Sequence, residues 1–192
     1  FPSDIELVNK YIPDMKKYVS TTGSPMYYAA RIAKKKHPDA KIVFVGPCVA
    51  KRKEAQRDEA VDFVMTFEEI SSIFDAMEVN LEIVQPYAME FSSVREAHGF
   101  AQAGGVMGAV KAFLKMEADK INAVQVSDLN KKNIAALRAY AKTGKAPGQF
   151  IEVMACEGGC ITGPSTHSGS KSGKWQLSQE LTKQTKTYEN ME

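Results

Sequence analysis

The sequence predicts an α/β fold in which two lobes of mainly parallel sheet are flanked by helices. Short β-branched apolar runs, Lys41 to Gly46 and Asn122 to Ser127, are too brief for helices and read as buried parallel strands. Segments with apolar residues at three-and-four spacing alternate with these runs, the order that builds α/β layers. The chain has 192 residues and 21.1 kDa, of which 44% are hydrophobic and 25% charged. That length suits one large domain or two small lobes and buries roughly 70% of the unfolded surface. Collagen-like, disordered and disulfide-scaffold classes are excluded.

In chain order, Ile5, Val8, Ile12, Met15 and Val19 predict an amphipathic helix over 4–19, with Ser3 as N-cap and Pro13 as a local irregularity. Ser20 to Pro25 breaks it, and a second helix over 25–36 has Pro25 near its first turn. Strand 41–46 exits at Pro47-Cys48. Residues 48–58 are charged and loop-like or helical, 62–67 strand-like, and 67–78 helical, with Ile70, Ile73, Phe74 and Met77 on one face. Residues 80–98 are the least readable. From Gly99 a small-residue segment runs into a helix ending near Asp119. Strand 122–127, helix 129–143 closed by Gly144, and strand 149–155 follow, the last delivering Cys156. The stretch from Pro164 to Glu192 is polar and weakly patterned, as a mobile tail is.

Lysine plus arginine exceed aspartate plus glutamate by 25 to 23, a net charge of +2. This is too even for a nucleic-acid footprint, and the local runs Lys34 to His37 and Lys51 to Lys53 read as solvated faces. No apolar stretch approaches a membrane span, and the N-terminus lacks the form of a signal peptide, so the cytoplasm is the expected compartment. Three cysteines, an odd number without a secretion signal, argue for reduced thiols or metal ligands over disulfides.

Cys156 and Cys160 lie in Met154 to Cys160, separated by three residues that include two glycines. Adjacent glycines let a backbone curl around a bulky group and bring its amides toward thiolate or sulfide charge. A lone cysteine is as readily a small buried hydrophobe, and zinc would need more ligands than one further cysteine and three scattered histidines supply. Iron–sulfur ligation with Cys48 as third thiolate fits better. Both cysteine loops leave carboxyl ends of predicted strands, where α/β sheets gather ligands. In the first, Gly46 to Glu54, the spacing places Cys48, Lys51 and Glu54 along one face of a helical turn, which by itself is also the pattern of a solvated ion pair.

With both motifs in view, the sequence resembles the C-terminal active-site domain of iron-only (FeFe) hydrogenases. Pro47 to Glu54 matches that family's second signature loop, and Ile151 to Gly163 matches its third. The approach to Cys48 from Tyr18 and the glycine-rich helix start at Gly99 to Val110 resemble family segments as well. The resemblance implies one such domain, with lobes roughly 1–95 and 96–163 and a tail 164–192. It further implies a 4Fe-4S cluster joined to a diiron subcluster carrying CO, cyanide and dithiolate ligands. Cys48 and Cys156 would ligate the cubane and Cys160 would bridge to the diiron unit. Lys51 would donate to a cyanide, Met154 would pack near the bridging CO, and Ser20 would match a proton-route serine. Ser24 would line the same pocket, with a helix N-cap as its alternative role, and Pro47 and Glu54 would support the site.

The implied activity is reversible hydrogen oxidation and proton reduction, with a ferredoxin-like electron carrier, or ferredoxin-type domains of the same parent chain, as partner. Gly46 in place of methionine, Glu157 in place of proline, and Gly163-Pro164-Ser165 in place of a glycine-rich run resemble the divergent, sensory groups. The family's first loop, which brings the fourth cubane ligand and a relay thiol, would fall before Phe1. The expectation is therefore a fragment, inactive alone and at most holding a labile iron–sulfur cluster. An H2 or redox sensor, an iron–sulfur assembly factor without the diiron centre, and a cluster-free module are the other readings.

Overall fold

The computed structural model describes residues 1–87 and 93–190; the core of the least readable stretch, 88–92, and the last two residues of the tail lie outside the described residues. Two parallel strand pairs organise the chain. β1 (Val43–Gly46) pairs with β2 (Phe63–Thr66), Val43 opposite Phe63 and Gly46 opposite Thr66. β3 (Ala123–Ser127) pairs with β4 (Phe150–Met154), Ala123 opposite Phe150 and Ser127 opposite Met154. Helices flank both pairs, so the architecture is α/β with short parallel sheets.

The first helix differs from its prediction at both ends. α1 (Pro2–Tyr11) opens at Pro2, with Phe1 rather than Ser3 at the N-cap, because proline suits a first turn whose N–H is unpaired anyway. Pro13 cannot extend the ladder, and after Ile12 the chain tightens into a 3₁₀ stretch, Pro13–Tyr18. α2 (Pro25–Lys36) follows the sequence pattern, its N-cap Ser24 Oγ accepting from Tyr27 N–H at 3.3 Å. α3 (Ala50–Ala55) leads away from Cys48. α4 (Phe67–Ala76) starts with a capping box: Glu69 N–H donates to Thr66 Oγ1 at 3.2 Å and Thr66 N–H to Glu69 Oε2 at 2.8 Å.

α5 (Arg95–His98) precedes α6 (Gly105–Leu114). α6 stops short of Asp119, because Lys115 takes a φ of 50° and residues Lys115–Lys120 continue as 3₁₀. α7 (Lys131–Thr143) runs from the Asn130 cap to Gly144, whose φ of 68° ends it as predicted. The tail is a correction. α8 (Ser170–Lys183) is helical, but Gly173 is its buried residue and its other side chains face solvent or a partial cover, so no apolar stripe marks it in the sequence.

Two apolar cores position the site. Met26, Ala30 and Val61, with Ile42, Phe44 and Val64 against them, join α2 to the first strand pair. Ile12, Val126, Leu137 and Ala141, with Leu7, Met15, Ile151 and Val153, join the start of the chain to β3, β4 and α7. α1 is also tied to α3, because Glu6 accepts from Lys53 Nζ at 2.7 Å and from Arg57. The N-terminal helix therefore bridges the two pairs. Among the described residues no helix is long and apolar enough to cross a membrane.

Candidate metal centre

Cys48 stands two residues beyond β1 and Cys156 two beyond β4, and Cys160 opens the 3₁₀ turn Cys160–Thr162. The two loops touch. Ser165 N–H donates to the Pro47 carbonyl at 2.9 Å, and a Cβ on Gly163 would lie 2.7 Å from that same oxygen. His167 Nε2, 2.8 Å from Ser71 Oγ and 3.2 Å from the Phe67 carbonyl, fastens the segment after Cys160 to α4.

The three thiols lie within electrostatic reach of one another. Burial first, and then the charges of Cys48 and Cys156, push the Cys160 thiol up to about 11, against a smaller opposing pull from Lys51. Burial likewise raises Cys156, with Cys48, Asp4 and Asp128 adding to it. Burial thus favours the protonated form of Cys156 and Cys160, and a cation that binds these two must displace their protons.

The glycine pair does what its motif suggested. Gly158 and Gly159 have φ of 82° and 103°, and a Cβ on Gly159 would meet Ala103 N at 2.5 Å and the Ala101 carbonyl at 2.6 Å. Ala103 N–H donates to the Gly158 carbonyl at 3.1 Å, and Gly158 N–H to Ser127 Oγ at 2.9 Å. Beneath this loop Glu152, 4% exposed in β4, accepts from Gly104 N–H and Met107 N–H, both at 2.7 Å, and so fixes the first turn of α6. Sequence reasoning missed Glu152 and Ser127. A carboxylate inside the apolar run Phe150 to Met154 was the available signal for the first.

Of the remaining candidates, Ser24, Lys51 and Glu54 converge. Lys51 Nζ donates to Glu54 Oε2 at 2.7 Å and to Ser24 Oγ at 3.3 Å, and Ser24 Oγ donates to Glu54 Oε1. The Lys51 side chain is only 15% exposed, with the Phe44 ring 5.6 Å from its nitrogen, so this is no solvated ion pair. Ser24 also remains the N-cap of α2. Met154 is 2% exposed at the end of β4. Ser20 is not brought to this group; it is exposed, and its Oγ accepts from Thr22 N–H at 3.2 Å.

Among the described residues no three His, Cys, Asp or Glu side chains close on the space of a single ion. A cubane takes its ligands at four separate corners, so three mutually sensed but unconverged thiols suit it better than they suit tetrahedral zinc. Asp4 is also buried; its Oδ2 accepts no hydrogen bond and lies 3.7 Å from the Phe1 amino group.

Comparison with known proteins identifies the family. The chain is 28% identical over 195 residues to the cytosolic Fe-S cluster assembly factor narfl of Danio rerio, covering 76% of this chain and 47% of that one. It is 26% identical over 212 residues to iron hydrogenase 1 of Clostridium pasteurianum, covering 84% and 36%. In structure it resembles a variant of FeFe-hydrogenase HydA1 from Chlamydomonas reinhardtii, with a TM-score of 0.64, 23% identity, and 94% and 64% of the two chains covered. The chain spans less than half the length of these two curated relatives. Residues 2–164 match the family described as iron only hydrogenase large subunit, C-terminal domain, which covers both cysteine loops and most of the chain. The chain belongs to that family.

Proposed function

We propose that this chain is the cluster-holding part of a hydrogenase-like protein. Cys48, Cys156 and Cys160 would hold a 4Fe-4S cubane, and with it a diiron subcluster. The observation that supports the reading is the contact between the two cysteine loops, with Cys48, Cys156 and Lys51 within electrostatic reach of Cys160. When bound, the diiron group supplies reversible heterolysis of dihydrogen.

The chain's own residues do the rest. Glu54 and Ser24 take two of the three Lys51 N–H donors, which leaves the third for an anionic cyanide, a charge-assisted bond. The Glu54 carboxylate, 2.7 Å from Lys51 Nζ, keeps the ammonium aimed. Met154 presents a buried thioether at the end of β4 and keeps water from that side. A ferredoxin-like carrier or ferredoxin-type domains would exchange the electrons.

The similarity to cytosolic iron–sulfur assembly factors favours a second reading, a cubane without the diiron unit. The third N–H of Lys51, which neither Glu54 nor Ser24 takes, favours the first reading, since it suits an anionic diatomic ligand. The test is the full-length protein, co-produced with the maturation machinery and examined by infrared and paramagnetic resonance spectroscopy. Carbonyl and cyanide bands are expected, and Lys51→Met should weaken them and hydrogen turnover while leaving the cubane signal. A cubane signal with no such bands would establish the assembly-factor reading. Bands with negligible turnover would assign the protein to sensing.

A further inference from the structure

Past residue 164, where the family match ends, α8 turns back onto the Cys156–Cys160 loop. Gly173 is its buried residue, and a Cβ there would lie 3.0 Å from Ser168 Oγ and 3.4 Å from the Ile161 carbonyl, so the helix backbone rests against the residue after Cys160. One position on, Lys174 extends over the loop itself: a Cβ on Gly158 would meet Lys174 Nζ at 2.2 Å and Cε at 2.4 Å. An ammonium therefore stands where the side chain of residue 158, midway between Cys156 and Cys160, would begin. Gly158, with a φ of 82°, keeps that seat open.

Among the described residues no carboxylate forms an ion pair with Lys174, not even the adjoining Glu157, whereas the Lys51 ammonium is paired with Glu54 at 2.7 Å. The loop also holds its shape without Lys174, since Gly158 N–H donates to Ser127 Oγ at 2.9 Å and the Gly158 carbonyl accepts from Ala103 N–H at 3.1 Å. What Lys174 brings to the loop is charge. The segment after α8 fixes the helix that presents it: Arg95 N–H donates to the Lys186 carbonyl at 2.8 Å, Tyr188 N–H donates to Glu96 Oε2 at 3.3 Å, and the Tyr188 ring meets Phe113 edge-on at 5.7 Å. α8 is thus fastened at both ends.

We infer that Lys174 tunes the reduction potential of the cluster held by the Cys156–Cys160 loop, by keeping an uncompensated positive charge against that loop. This rests on the cluster reading above and adds to it a residue outside the family match. A thiolate-ligated cubane is an anion, and its one-electron reduction adds a further negative charge; the electron comes from a low-potential donor, and no bond or proton changes place. A cation over the loop stabilises the reduced state more than the oxidised one, through a medium less polarisable than bulk water, and so raises the potential. Lys174 acts on the metal through its field and does not ligate it.

The full-length protein, loaded with its cluster, is titrated with dithionite and redox mediators while the paramagnetic signal of the reduced cubane is followed, the cubane being the signal that Cys156→Ser abolishes. Lys174→Gln should shift the midpoint potential down, Lys174→Glu further down, and Lys174→Arg should return it close to the parent value, all with the parent's iron content. The Lys174→Gln shift should amount to a few-fold weaker reduction at low salt and should shrink as salt screens the exposed ammonium. Lys171→Gln, one turn earlier on α8, should move the potential less. Equal midpoints in the parent, Lys174→Gln and Lys174→Glu, or loss of the cluster from Lys174→Gln, would overturn the tuning role and leave the cluster reading intact. No cubane signal in the parent, or one untouched by Cys156→Ser, would overturn both.

Discussion

The two strand pairs have the same topology and each ends in a cysteine loop, yet they are secured by opposite means. β1–β2 leaves Val43 and Phe63, partners across the pair, 45% and 57% exposed, and its loop is steadied by side chains: Lys51, Glu54 and Ser24. β3–β4 is packed by α1 and α7, and its loop is steadied chiefly by backbone: positive-φ glycines set against the 101–103 segment, with Ser127 and Glu152 accepting from amides. A loop built from side chains can change its chemistry without losing its shape. A loop built from backbone cannot.

That contrast can be broken by one pair of substitutions. Gly159→Ala would put a Cβ onto backbone atoms at a φ of 103° and ψ of −174°, a conformation essentially reserved for glycine, and should cost about 3 kcal/mol or more in urea unfolding. Gly46→Ala would meet only the Phe44 ring, with Cε1 at 2.5 Å, and a ring can turn aside. Its cost should be about 1 kcal/mol. Equal costs would mean that both loops are held alike.

A smaller effect sharpens the comparison through the carboxylate of each unit. Glu152→Gln places an amide against two buried N–H donors and should destabilise by about 1.5–3 kcal/mol, read by chemical unfolding. Asp62 in the first unit accepts from Ile42 N–H at 2.8 Å and from Lys41 at 3.0 Å, and these bonds, with Lys34, lower its pKa from 3.8 to about 2. A lowered carboxyl pKa stabilises the fold above the unfolded value, and that contribution fades as pH falls from about 4 through about 2. Asp62→Asn should therefore lower stability in the neutral region and flatten its acid limb, parent and variant converging as pH falls to about 2. An unchanged acid limb would remove Asp62 from the account.

The sequence shows what is decided locally. Ser24, Asn130 and Gly144 sit at helix ends they specify, so α2 and α7 are legible, and the cysteine loops are legible because each follows directly on an apolar strand. The Lys51–Glu54 pair is visible at its spacing, but its burial is not, since Ser24 and Phe44 arrive through the fold. Glu152 bonds amides 45 and 48 residues away, and the burial of Asp4 depends on how α1 docks; neither relation leaves a local pattern. α8 escaped notice for the opposite reason, being a helix with almost nothing to bury.

The central claim is that Cys48 and the Cys156–Cys160 pair, from two separate strand pairs, serve one cluster. Iron and sulfide content of the reconstituted chain, measured for Cys48→Ser, Cys156→Ser and Cys160→Ser with far-ultraviolet circular dichroism as the folding control, tests it directly. All three variants should keep the parent's secondary structure and lose the same cluster signal. A Cys48→Ser variant that retains the full iron and sulfide of the parent, while the other two lose theirs, would contradict the shared site.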